Sequence, residues 1–165
     1  MEDQENLYST LVDYVTLKPT YAKRGMLVLD SLGSEFVSKG FTEKHVVKPL
    51  KKQGFKLNND VTFQEFNNFK INPKASCELH IYSTRLFDSV LNDDSRRINK
   101  WDTIFKDCEN CYRVVSFSHV YYNAKTRTYA VYIAYTNGSC ATGLIAYLKK
   151  QKGKWSVIKT KIIFV

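Results

Sequence analysis

The chain reads as an α+β fold: N-terminal helices and one or two short strands packed on a four-stranded antiparallel C-terminal sheet. Two observations carry this. Near residue 110 the hydrophobic period changes from about 3.6 to 2. The four β-rich runs that follow are joined by links of three to five residues rich in turn formers, the pattern of a hairpin meander. A third observation is size and composition: 165 residues, 44% hydrophobic and 25% charged, suit one domain spanning 1–165 with a core of ordinary size. Within it, residues 1–109 form a mostly helical part and residues 110–165 the β-meander.

In chain order, Leu7, Leu11, Tyr14 and Val15 stand at helical spacing, and Pro19 ends that helix near Lys18. Met26-Leu27-Val28-Leu29, between Gly25 and Asp30, suits a short strand buried on both faces, with a helical turn as the alternative. Thr42 is placed to N-cap a helix through Val47. Thr62 and Glu65 form a capping-box pattern that opens a short helix with Phe63, Phe66 and Phe69 on one side, stopping before Pro73. Residues 77–82 alternate as a strand. Residues 84–106 predict two helices broken near Asn92-Asp93-Asp94, the second with Ile98, Trp101, Ile104 and Phe105 on its apolar face. The β-rich runs are Tyr112–Tyr122, Thr128–Thr136, Ala141–Lys150 and Lys154–Val165. In the second, Tyr129, Val131, Ile133 and Tyr135 share one face and Ala130, Tyr132 and Ala134 the other. The small-residue face lets another layer, or a ligand, approach closely.

No apolar run approaches the roughly 18 residues of a membrane-spanning helix, and residues 1–20 lack the basic and apolar regions of a signal peptide. The chain as it stands reads as cytoplasmic; an exported protein whose signal had been removed would read the same. Charge is distributed unevenly. Residues 1–109 carry sixteen basic and sixteen acidic side chains, whereas residues 110–165 carry nine Lys or Arg and no acid. The whole net charge of +9 therefore sits on the β-rich part, whose field attracts anions. The plainer explanation is that lysines keep a tyrosine-rich sheet in solution.

Cys108-Glu109-Asn110-Cys111 is the one C-x-x-C and supplies the weak metal candidates, Cys108 and Cys111. Four tetrahedral ligands are needed for structural zinc, and Cys77 and Cys140 stand alone in sequence, so no metal and no cofactor is expected. The pair follows a helix and precedes a strand, the reverse of the thioredoxin-like context. A disulfide within the pair, or between Cys77 and Cys140, fits an exported protein; four thiols fit a cytoplasmic one. His45, His80 and His119 read as structural. Ser118 and His119, adjacent in a strand, point to opposite faces, which argues against a nucleophile–base pair. Asp93-Asp94 reads as a solvated turn at a helix N-terminus. No phosphate loop, nucleophile elbow or metalloprotease motif is present. No catalytic residue is assigned, and an enzyme would need a deep pocket with convergent titratable groups.

The sequence supports a non-enzymatic binding domain that engages an acidic protein or small anionic ligand. The partner-binding candidates are Lys149, Lys150, Lys152 and Lys154 at the last hairpin, with Tyr132 and Tyr147 on the sheet. Single-stranded nucleic acid is the alternative partner, with tyrosines stacking bases and lysines tracking phosphates. Against it, the element order is not that of an RNA-recognition motif.

Phe117-Ser118-His119-Val120, Tyr129-Ala130-Val131-Tyr132, the strand from Gly143 to Leu148, and Lys152-Gly153-Lys154-Trp155-Ser156-Val157 together resemble a group of small uncharacterised proteins of Bacteroidota. The likeness covers roughly residues 100–165; the terminal Ile162-Ile163-Phe164-Val165 departs from that group's Trp-containing end. It implies export or a lipoprotein signal, as many of the group have. The hairpins also look like those of NTF2-like and cystatin-like folds, whose curved sheet wraps a helix. Neither likeness brings a catalytic set.

Overall fold

The computed structural model describes residues 7–16, 25–30, 39–58, 79–93, 99–137 and 141–164. The elements are helix α1 (Leu7–Thr16), strand β1 (Gly25–Leu29), helix α2 (Lys39–Thr42), a π-helical turn (Glu43–Val47) and helix α3 (Lys48–Lys52). Then come β2 (Lys56–Leu57), β3 (Leu79–Tyr82), α4 (Thr84–Leu91) and α5 (Lys100–Phe105). The chain continues as β4 (Cys111–Phe117), β5 (Tyr121–Asn123), β6 (Thr128–Thr136), β7 (Ala141–Gln151) and β8 (Lys154–Phe164).

The fold is α+β, but the sheet is larger than the four expected strands. One eight-stranded, mostly antiparallel sheet draws strands from both halves of the chain. Its main path runs β3-β1-β4-β6-β7-β8, and β5 pairs the other end of β6 with β2 beyond it. The expected strand at residues 26–29 is not a separate piece packed on the sheet. As β1 it lies inside the sheet, parallel to both β3 and β4, and all five of its residues are buried. A continuous apolar run is what two covered faces require.

Both faces of the sheet are covered. On one, Leu7, Tyr8, Leu11, Val12 and Val15 of α1 pack on Met26, Val28, Val115, Val131, Ile133 and Leu148. On the other, Val46, Leu50 and Phe55 cover Ala130, Tyr132, Ala134 and Ile145. Farther along this second face, Phe87, Val90 and Ile104 of α4 and α5 cover Leu27, Leu29 and Val114. The small side chains of β6 thus admit a protein layer. Gly143 completes that fit: Ala134 pairs with Gly143, and the Tyr132 ring lies across the space a Cβ there would fill.

Several local choices are readable in chemistry. Ser83 caps α4, its Oγ accepting from Leu86 N–H at 3.4 Å, while Asp30 Oδ1 accepts from Thr84 N–H at 2.8 Å. Asn99 caps α5. Thr42 is not an N-cap: its φ of −60° and ψ of −45° are helical, it makes no side-chain cap, and α2 already begins at Lys39. The π-turn follows from Pro49, which has no N–H to give the carbonyl four residues back. The ladder widens just before it, with Lys48 N–H reaching Glu43 O.

Residues 112–122 do not form one strand. At Ser118 the ladder with β6 breaks: Ser118 N–H donates to Tyr132 O at 2.8 Å, and Tyr132 N–H donates to Ser118 Oγ at 2.9 Å. Phe117 pairs with Ile133 and Tyr121 with Ala130, so four steps along β4–β5 oppose three along β6. That is a bulge, and it bends the strand. The β7–β8 turn is the expected one. Lys152 and Gly153 both take positive φ, 49° and 80°, which suits a tight two-residue hairpin. The predicted 62–69 helix, Ile98, Asp94, Cys77 and Cys140 lie outside the described residues.

Candidate functional site: a lysine-lined edge and cleft

Strand register sorts the candidate residues. Lys150 pairs with Trp155, and its ammonium lies 5.2 Å from the Trp155 ring centroid on the α1 face. Lys149 and Lys154 lie on the opposite, α3 face, and Lys152 occupies the turn. The hairpin lysines are thus split between two faces. The second set is continued by lysines not singled out from sequence. A bulge near Ile158 resets β8 so that Lys159 pairs with Tyr147 and Lys161 with Ile145, on the α3 face. Lys154, Lys159 and Lys161 therefore project to one side of β8, which has β7 as its one strand partner among the described residues. Finding this from sequence would have required the bulge, which simple alternation does not reveal.

Tyr132 and Tyr147 are not surface residues. Tyr132 is 4% exposed and Tyr147 8% exposed, both beneath the α3 layer. Burial pushes the Tyr132 hydroxyl up to about 12, and that oxygen has no hydrogen-bond partner. Burial also raises Tyr147, partly offset by a hydrogen bond from the Gln53 side chain. Tyr121 is raised by burial and then by the nearby Glu43 carboxylate. These hydroxyls stay protonated at neutral pH, and these rings are packing groups.

Tyr147 forms the floor of a cleft of about 560 Å³ at the foot of α3, walled by Gln53, Phe55, Asn123, Thr126, Thr128, Ile158, Lys159 and Lys161. A second cleft, about 640 Å³, shares Gln53 and Asn123 and adds Lys56, Lys125, Tyr122 and Tyr129. Asn123 holds the partition between them. Its Nδ2 donates to Gln53 O at 2.7 Å, and its Oδ1 accepts from Lys125 N–H at 3.0 Å and Thr126 N–H at 3.2 Å. Every titratable wall residue of either cleft is a lysine or a tyrosine. An anion seated there meets positive charge, hydroxyls and amides. Lys159 lies 6.0 Å over the Tyr147 ring, which fixes its stem against the cleft floor.

No protein family, curated protein or solved structure matches this chain. The functional reading rests on its own residues.

The other candidates fall elsewhere. Ser118 Oγ is engaged by the backbone, accepting from Tyr132 N–H and donating to His119 O at 2.8 Å, and His119 is exposed. His45 stacks on Phe41 with ring centroids 4.4 Å apart. At the far edge of the sheet, Cys108 and Cys111 form a disulfide, and the His80 imidazole lies beside them. Sequence spacing did not connect His80 to this pair; parallel pairing of β1 with β3 and β4 does. No described helix is long and apolar enough to cross a membrane.

Proposed function

We propose that the protein is a non-enzymatic binding domain that recognises an acidic, extended polypeptide segment along β8 and its adjoining cleft. The observation behind this reading is the one-sided row Lys154, Lys159, Lys161 on an edge strand, in a stretch with no acid after Glu109. Length supports the longer of the two ligand sizes. With the bulge, Lys154 and Lys161 stand six paired steps apart along β7, roughly 20 Å at strand rise. A small anion spans the Lys159–Lys161 pair alone, whereas an extended acidic chain reaches the whole row. Ile158, 51% exposed, supplies apolar contact beside Lys159 and Lys161 in the cleft wall. An edge strand also offers backbone groups to an added strand. Burial of Tyr132, Tyr135 and Tyr147 removes those rings as a base-stacking surface, so the polypeptide reading is preferred to nucleic acid.

The test is fluorescence anisotropy with labelled poly-glutamate, with single-stranded DNA and a small dicarboxylate as competitors. Binding should weaken as NaCl rises from about 0.1 to about 1 M, because the screening length falls from about 10 to about 3 Å. Lys159→Gln with Lys161→Gln should weaken it about 2- to 30-fold, from solvent-exposed pairs at about 0.2–1 kcal/mol each. Binding insensitive to salt and to these lysines would refute the proposal. So would single-stranded DNA outcompeting the acidic chain at equal charge.

A further inference from the structure

We infer that Cys108, Cys111 and His80 form a binding site for a thiophilic divalent ion of the zinc class when the disulfide is reduced. The Nδ1 or Nε2 of His80 and the two Sγ atoms all lie within 4.8 Å of one another. Two covered strands bring them there. Leu27 of β1 pairs with His80 of β3, and Gly25 of β1 pairs with Cys111 of β4, so the imidazole and the sulfurs meet across β1. Cys108 and Cys111 are 9% and 7% exposed, against Leu27, Leu29, Ile104 and Val114. Both sulfurs are thus largely withdrawn from solvent, and the half-buried His80 marks the side from which an ion would enter.

The backbone around the pair does not depend on the sulfur–sulfur bond. Cys108 N–H donates to Phe105 O and Cys111 N–H to Cys108 O, both at 3.0 Å, and Gly25 N–H donates to Asn110 O at 2.7 Å. These bonds already close the turn that the disulfide spans, a sequence separation of three. Cross-links stabilise by closing long loops, so this one adds little as a staple. The turn therefore keeps both sulfurs facing His80 after reduction.

The chemistry balances simply. An external dithiol gives two electrons and two protons to the Cys108–Cys111 bond and leaves as its own disulfide, producing two thiols here. On metal binding each thiol releases its proton to solvent, and the ion takes two thiolates and one neutral imidazole nitrogen. Two thiolates with an imidazole suit zinc and disfavour magnesium or calcium. Among the described residues three ligands converge, which leaves the fourth tetrahedral position to a further donor.

The experiment uses the full chain, reduced and desalted under anaerobic conditions, with Co²⁺ as spectroscopic probe and Zn²⁺ as competitor. One Co²⁺ per chain with tetrahedral d–d bands and sulfur-to-metal charge transfer, displaced by Zn²⁺, is the expected result. His80→Ala should weaken Co²⁺ binding beyond the ~10–100-fold attributed to groups that merely orient ligands. Cys108→Ser with Cys111→Ser should remove the charge-transfer band. In the unmutated protein, Zn²⁺ should protect Cys108 and Cys111 from alkylation, read by peptide mass spectrometry. No Co²⁺ binding by the reduced chain, binding indifferent to His80→Ala, or no protection of Cys108 and Cys111 would each overturn the assignment. The oxidised protein should bind no Co²⁺; equal binding before and after reduction would do the same.

Discussion

Gly143→Ala tests the packing that turns a tyrosine-rich strand into core. In a mid-strand position, replacing Gly by Ala ordinarily helps by about 0.5–1 kcal/mol, because the unfolded chain loses freedom. Here a Cβ on Gly143 overlaps the ring and hydroxyl of Tyr132, and it meets the ring itself rather than a flexible tip. Tyr132 cannot swing away, since it is 4% exposed beneath Val46, Leu50 and Phe55. Overpacking of this kind costs about 1–3 kcal/mol, and an overlap this deep belongs at the upper end. Subtracting the backbone gain leaves a net loss of about 2 kcal/mol, or a Tm lower by about 4–8 °C for a chain of this length. Urea denaturation followed by far-UV circular dichroism measures it, with m unchanged. The decisive control is Tyr132→Val, which shortens the side chain. In that background Gly143→Ala should be neutral or stabilising, giving a coupling energy above about 1.5 kcal/mol. Equal cost in both backgrounds, or a stabilised single variant, would refute the clash.

Three further perturbations follow from the same layer. Tyr132→Phe removes a buried hydroxyl without a partner, so stability at pH 7 should be unchanged or higher by up to about 1 kcal/mol. Its pH profile should also flatten. The folded pKa of about 12 exceeds the unfolded 10.0, so the native form keeps a proton that the unfolded chain releases; this stabilisation is complete below pH 10 and lost on approach to 12. The Tm of Tyr132→Phe should therefore fall less over that window than that of the unmutated chain. Asn123→Ala breaks one hydrogen bond from the β5–β6 turn to the end of α3 and two within that turn, and should cost about 1–3 kcal/mol by urea denaturation. Ser118→Ala strands the Tyr132 amide and should cost about 1–2 kcal/mol, with Ser118→Thr costing less if the hydroxyl alone matters.

What sequence discloses here follows the range of the forces involved. The hairpin at Lys152-Gly153, the break between α4 and α5, and the apolar strand Met26–Leu29 are local matters of turn chemistry and period, and each was legible. Where Met26–Leu29 goes in the sheet is not local. Parallel pairing with β3 and β4 spans more than fifty and eighty residues of chain, and no periodicity reports it. The same gap explains the site. The lysines and cysteines are visible as residue types, but the β8 bulge that aligns Lys159 and Lys161 with Lys154 is a matter of register. The encounter of His80 with Cys108 and Cys111 likewise depends on strands paired through β1. Ser118 misled for a related reason: alternation assigns its side chain to a face, whereas the hydroxyl had taken a backbone role in the ladder.

Covering both faces of β6 has a consequence for where chemistry can sit. Tyr132 and Tyr135 are committed to packing, so the acid-free segment meets solvent chiefly along β8, at its hairpin tip and at the β5–β6 turn. Positive charge is consequently displaced to one edge of the sheet. The thiol–imidazole cluster lies at the other, on β3 and the start of β4. Between β3 and β8 the path crosses five strand spacings, roughly 24 Å, more than twice the screening length at about 0.1 M salt. The two edges are joined through the sheet, whose central strands β1, β4 and β6 are packed on both faces. Independent sites this far apart contribute additively. Loading the reduced protein with Zn²⁺ should accordingly leave its affinity for poly-glutamate unchanged within about twofold. A larger shift would mean that the sheet between the two edges has a second arrangement, which two-sided packing opposes, and would reverse the view of β6 as a fixed partition.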